Sequence, residues 1–213
     1  MENQNQKDKY DGLLFDIRRS TRYHRRRQKF YTCMDNLSNF VSLICGSSVI
    51  YTALSVDALK SWTLYTAIAI TATSAVSILL AFSQKARDHS NLANDFIALE
   101  IEIIEIDKDV VTLEQLNNLI KKRLRIEVKE PPCLIVLDSI CYNEQSRAAG
   151  LLHENEVVIG WFQRLCAPFF DFNTHKLHLK TEIDNCMSSI SFKDRLRFKY
   201  RFWRKYRKLK KER

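Results

Sequence analysis

The sequence predicts an all-α membrane protein: a two-helix transmembrane hairpin extended into a cytosolic helical bundle. Three observations carry that fold class. Residues 37–56 and 61–84 form two runs without a charged side chain, separated by a short turn holding Asp57 and Lys60. Each run makes a helix about 30 Å long, the thickness of a bilayer's hydrocarbon core. The chain has only four glycines and three prolines in 213 residues, so little interrupts long helices. After the second run, Leu92, Phe96, Leu99, Ile103, Ile106 and Val110 recur in steps of four and three, a heptad seam. The competing arrangement is a buried hairpin of a soluble protein. A mean hydropathy of −0.28 and many Ser, Thr and Ala residues in the runs fit it. Soluble core helices of this length keep a charged face, however, and these runs have none.

The flanks orient the hairpin. Arg18, Arg19, Arg22, Arg25, Arg26, Arg27 and Lys29 precede the first run, Lys85 and Arg87 follow the second, and the turn offers only Lys60. The bias of Lys and Arg toward the cytosolic side places both termini there and the turn outside, with Trp62 and Tyr65 at interfacial depth. The expected location is the inner membrane, multi-pass. The first thirty residues lack an apolar stretch, so no cleavable signal peptide is expected.

In chain order, residues 1–9 are polar and expected to be a disordered tail. A helix is expected from about residue 12, with Leu13, Leu14, Ile17, Thr21, His24, Gln28 and Tyr31 on one side, running into the first spanning segment, 37–56. The second, 62–82, continues without Gly or Pro to Val111. An antiparallel pair turning near residue 60 places Arg25 opposite Asp95, and Arg18 and Arg22 near Glu102 and Glu100. These charge pairs add little energy each but set register.

Thr112 and Gln115 have capping-box spacing for a further helix, ended by Pro131 and Pro132. Pro132 can open the next helix, with Gly150 just beyond its end. Residues 10–150 are thus read as the hairpin with its bundle. Residues 151–190 are read as a helical or interfacial region that lies on the membrane or packs on the bundle. Residues 191–213 are read as a basic aromatic tail.

The net charge of +9 resides in that tail: residues 193–213 hold twelve Lys or Arg against Asp194 and Glu212. Arg195, Arg197, Lys199, Arg201, Trp203, Arg204 and Lys205 are the expected contacts to anionic lipid. Basic residues with interleaved aromatics suit nucleic acid as well, but beside a membrane hairpin no nucleic acid is expected.

Ser38, Ser42, Cys45, Ser48, Thr52 and Ser55 form a polar stripe on the first run, and Thr66, Thr73 and Ser77 one on the second. They can line a pore in a homo-oligomer, since hydroxyls hydrate ions without carrying charge. They can equally support close helix packing with interhelical hydrogen bonds. Facing positions put Ser42 against Ser77 and Ser48 near Thr73. No catalytic site, cofactor site or metal site is expected. Six cysteines have no paired ligand spacing and read as reduced, mostly buried thiols, and His175 and His178 have no third ligand beside them.

The segment DIRRSTRYHRRRQKFY ahead of the hairpin, and the later PPCLIVLDSICYNEQSRAAG, resemble the SLATT family. These are two-transmembrane effector domains that accompany SMODS nucleotidyltransferases and SLOG domains in bacterial conflict systems. The residues carrying the resemblance are Arg18, Ser20, Arg22, Tyr23, His24, Arg25, Arg26, Phe30 and Tyr31, then Pro131, Pro132, Leu137, Asp138, Asn143, Glu144 and Arg147. The resemblance implies an oligomeric effector that permeabilises the membrane in antiphage defence. It implies a nucleotide signal or a defence-system partner as trigger, and structural or gating roles for these positions. The alternative is a non-conducting membrane scaffold that recruits a cytosolic partner.

Overall fold

The computed structural model describes residues 2–54, 60–151, 155–174 and 177–182; side-chain surroundings are also left out at 2–3, 49, 52–54 and 60–63. Its elements are α1 (Glu2–Leu54), α2 (Lys60–Leu80), α3 (Phe82–Ile104), α4 (Leu113–Glu127), α5 (Ile135–Ala148), β1 (Val157–Val158), α6 (Trp161–Cys166) and β2 (His178–Leu179). The chain divides into two units, Met1–Leu134 and Ile135–Arg213.

In the first unit α1 packs antiparallel along α2 and α3, and α4 folds back against both α1 and α3. One core joins them: Tyr10, Leu13 and Ile17 of α1, Leu92, Phe96, Leu99 and Ile103 of α3, and Leu116, Leu119 and Ile126 of α4. The heptad seam on α3 is therefore filled by the chain's own helices. Its expected continuation fails at Val110, which is 73 % exposed, while Val111 is buried. The helix ends at Ile104, so the periodicity no longer dictates which side chain faces inward.

The expected disordered tail is helical from Glu2. It is held down at its far end, where Lys7 Nζ meets Asp109 at 2.5 Å and the Tyr10 hydroxyl donates to Ile103 O at 3.0 Å. The uninterrupted helix expected from residue 62 to 111 is broken at Ala81 (φ 47°, ψ 47°). The left-handed conformation costs a non-glycine residue about 1–2 kcal/mol. Hydrogen bonding nevertheless passes through it: Ala81 N–H donates to Ser77 O, and Lys85 N–H donates to Ala81 O, both at 3.0 Å. Thr112 forms the expected capping box with Gln115 and fixes the start of α4.

In the second unit, α5 begins at Ile135, so Pro132 lies ahead of it rather than in its first turn. Its cap is remote in sequence: the Asp171 carboxylate accepts from Ile135 N–H and Val136 N–H, each at 3.0 Å. A carboxylate there satisfies two orphan donors and complements the helix dipole. Gly150 (φ 69°) closes α5, with Leu151 N–H donating to Ser146 O at 2.9 Å and Gly150 N–H to Arg147 O at 3.1 Å, a Schellman pairing. Buried Asn143 uses its amide to donate to Val157 O at 2.7 Å and accept from Val157 N–H at 2.8 Å, which anchors β1. β1 pairs antiparallel with β2, a ribbon with no counterpart in the expected all-helical pattern. The partners of α5 follow it in sequence, so the division falls before α5 and not at residue 150.

Candidate functional site

Two features of the first unit concentrate unusual chemistry: the apolar hairpin and a buried histidine pair beyond its apolar runs. On α1 the large side chains Leu37, Phe40, Leu43, Ile44, Ile50 and Tyr51 point outward, Leu43 being 69 % exposed. On α2, Leu64, Tyr65, Ile68, Val76, Ile78 and Leu79 do the same, with Ile78 78 % and Leu79 82 % exposed. Among the described residues, one helical run, Leu64–Ile104, contains a stretch long and apolar enough to cross a membrane, and none of that stretch is buried within the protein.

The residues of the two predicted polar stripes are less exposed, whereas Ser47 and Thr71 stand exposed among the large apolar side chains. Ser38, Ser42, Cys45 and Ser48 on α1 and Thr66, Thr73 and Ser77 on α2 are all half-buried, on the faces that α1 and α2 turn to one another. Thr52 and Ser55 lie outside the residues whose side chains are described. Within each helix the hydroxyls reach back to the preceding turn: Ser48 donates to Ile44 O at 2.9 Å and Thr73 to Ala69 O at 2.8 Å. That pairing lets a hydroxyl sit in an apolar medium without an orphan donor.

Beyond the apolar runs, His24 of α1 and His89 of α3 meet in the core, 1 % and 3 % exposed, with their Nδ1 atoms 2.9 Å apart. His24 Nε2 lies 3.1 Å from Glu130 Oε1, in the link between α4 and α5. A carboxylate oxygen accepts, so His24 donates from Nε2. Rings enclose the pair: Phe96 stacks on His24 at 5.7 Å, Tyr31 stacks on His89 at 5.6 Å, and Tyr23 meets His24 edge-on at 5.3 Å. The Arg27 guanidinium lies 4.5 Å from the Tyr31 ring centre and Lys85 Nζ lies 5.8 Å from it, so cations close the same stack. The Tyr23 hydroxyl accepts from Leu134 N–H at 3.0 Å, and burial pushes its phenol up.

Burial first, then the neighbouring His24 and Arg27, hold the His89 imidazole down at about 4. With its proton on Nε2, a neutral His24 accepts at Nδ1 from His89 Nδ1–H, so the Nδ1–Nδ1 bond holds one proton. Two protonated rings would set N–H against N–H. The cluster is a polar latch joining α1, α3 and the α4–α5 link. Among the described residues no group of three or more His, Cys, Asp or Glu could hold a metal ion.

The expected charge pairs are partly rearranged. Arg18 Nε donates to Glu100 at 2.7 Å. Arg25 reaches Asn94 Oδ1 at 3.0 Å instead of Asp95, and Asp95 pairs with Lys129 at 3.4 Å. Glu102 pairs with Lys122. The physical reason is the returning chain of α4 and the turn after it, whose Lys122 and Lys129 take acids that the sequence assigned to α1. Arg22 also has a partner within the structure.

His178 lies in β2 rather than on a helical face, and His175 is outside the described residues. Of the described cysteines, only Cys141 is buried; Cys33 and Cys133 are exposed. Arg195, Arg197, Lys199, Arg201, Trp203, Arg204 and Lys205 all lie outside the described residues.

Sequence reasoning placed His24 on the inner side of its helix but missed His89 and Glu130. His89 sits three residues before Leu92, a position the seam itself marks as inward. Glu130 had no such signal. Comparisons with family models, curated proteins and solved structures give no match.

Proposed function

We propose that the chain is an integral membrane protein whose α1–α2 hairpin crosses the inner membrane twice, with the α1–α3–α4 bundle in the cytosol. In this proposal it acts as a homo-oligomeric effector that permeabilises the membrane in a bacterial conflict system. The carrying observation is the outward apolar face of the hairpin, from Leu37 to Tyr51 and from Leu64 to Leu79. Contiguous large apolar side chains on a soluble surface mark a partner or a membrane, and a hairpin whose outer side is mainly apolar, with the exposed Ser47 and Thr71 hydroxyls bonded back to Leu43 O and Ala67 O, suits lipid on that outer side.

One hairpin is too small to enclose a path for ions, so several copies must contribute. Opening then consists of the hydroxyl faces of α1 and α2 leaving one another to line a shared lumen. Full-length protein in liposomes should pass ions when assembled, and S42L or S48L should reduce the flux about tenfold while insertion is retained, an effect of roughly 1.4 kcal/mol. Flux unchanged by both substitutions would remove the hydroxyl stripe from the path.

A specific observation favours the second reading, a non-conducting scaffold. The same hydroxyls are half-buried on two helices that already pack on each other within a single chain. Liposomes that pass no ions at any protein density would leave that reading standing.

A further inference from the structure

Residues 161–172 of the second unit are an unexplained feature. Trp161, Phe162, Leu165, Phe169, Phe170 and Phe172 are all exposed, Trp161 by 77 %. Three of these rings touch: Trp161 and Phe162 meet edge-to-face at 5.6 Å, and Phe162 and Phe172 at 5.3 Å. The segment nonetheless has an inner side, because Ile159 and Ala167 are buried. We infer that this segment is a second membrane contact, an aromatic surface that lies in the headgroup layer of the bilayer the hairpin crosses.

Three observations point to lipid as the occupant. The first is the state of the backbone. Arg164 N–H donates to Gly160 O at 3.0 Å, Ala167 N–H to Gln163 O at 2.8 Å, and Phe169 and Phe170 N–H to Cys166 O at 2.9 and 3.1 Å. A segment entering a poorly hydrated layer needs its donors satisfied from within, and these four are.

The second is that the shape is fixed in advance. Gln163 Nε2 donates to Phe172 O at 3.1 Å and to Asn173 O at 3.0 Å, while its Oε1 accepts from Gly160 N–H at 2.9 Å. Asp171 is tied to the start of α5. The rings are therefore held outward by a pinned loop, which lowers the ordering cost of docking.

The third is charge. From Val157 to Phe170 there is no acidic residue and one cation, Arg164, and the carboxylate of Asp171 is used as a helix cap. Aromatic rings with a lone cation match the interfacial layer of a membrane carrying anionic lipid. That surface is at hand for a chain with an outward apolar hairpin. The inference requires insertion of the chain but not conduction by it.

The test uses full-length protein with Trp161 as its sole tryptophan, through W62F and W203F, in vesicles of phosphatidylcholine and phosphatidylglycerol. Lipids brominated near the glycerol end should quench Trp161, and acrylamide should reach it about fivefold less than in an F169A/F170A variant. Trp161 that is open to acrylamide and untouched by brominated lipid would overturn the inference. Trp161 shielded from both would overturn it as well, assigning the surface to protein, either this chain's own bundle or a second copy. Resistance of the same preparation to alkaline extraction reports insertion separately, so loss of the hairpin reading and loss of this one are told apart.

Discussion

His24 and His89 show what a single residue decides in this molecule. Each is buried, each uses its Nδ1 on the other, and the latch they form with Glu130 admits one proton between the two rings. His89 is held down at about 4 in the fold, against about 6.5 in an unfolded chain, so the unfolded state takes up this proton first. The contribution to stability is full above about pH 6.5 and is lost as the pH falls toward 4. Melting of the purified protein in detergent should shift down across that window, and H89L should flatten the shift. An unaltered pH slope in H89L would assign it to other groups. The sequence allowed part of this to be read. The spacing from Ile17 to Tyr31 marks His24 as inward and the seam marks the level of His89, but nothing local marks Glu130, whose approach depends on how α4 ends.

At the scale of elements, local signals were the legible ones. Thr112 and Gln115 fix the start of α4, and Gly150 fixes the end of α5, because those caps are made by neighbours in sequence. Caps and pairs made across the chain were not legible: Asp171 on α5, Lys122 on Glu102, and Lys129 on Asp95. The left-handed Ala81 had no glycine to announce it. The register of α1 on α3 was nearly right, which is why Arg18 finds Glu100 while Arg25 settles on Asn94. A double-mutant cycle on Arg18 and Glu100 should show a favourable coupling of about 0.5 kcal/mol, since the pair is only partly buried. The same cycle on Arg25 and Asp95 should show none. Coupling at Arg25 and Asp95 of the same size would contradict the observed register.

For the whole molecule, the seam from Leu92 to Ile103 closes the chain's own bundle, so any association between copies must use other surfaces. The outward apolar face of the hairpin is one of these. The tail's charge is plain in the sequence, and its role as a lipid contact remains a proposal that rests on composition. The central claim is that the hairpin crosses the bilayer twice and returns both ends to one side. Cysteine accessibility in cells tests it most directly, with Ser61→Cys reporting the turn and native Cys133 reporting the bundle side, the other cysteines being replaced. The account predicts that a membrane-impermeant maleimide labels Cys at 61 from outside the inner membrane and reaches Cys133 only after the membrane is opened. Labelling of both positions from the same side, or of position 61 only after opening, would contradict it.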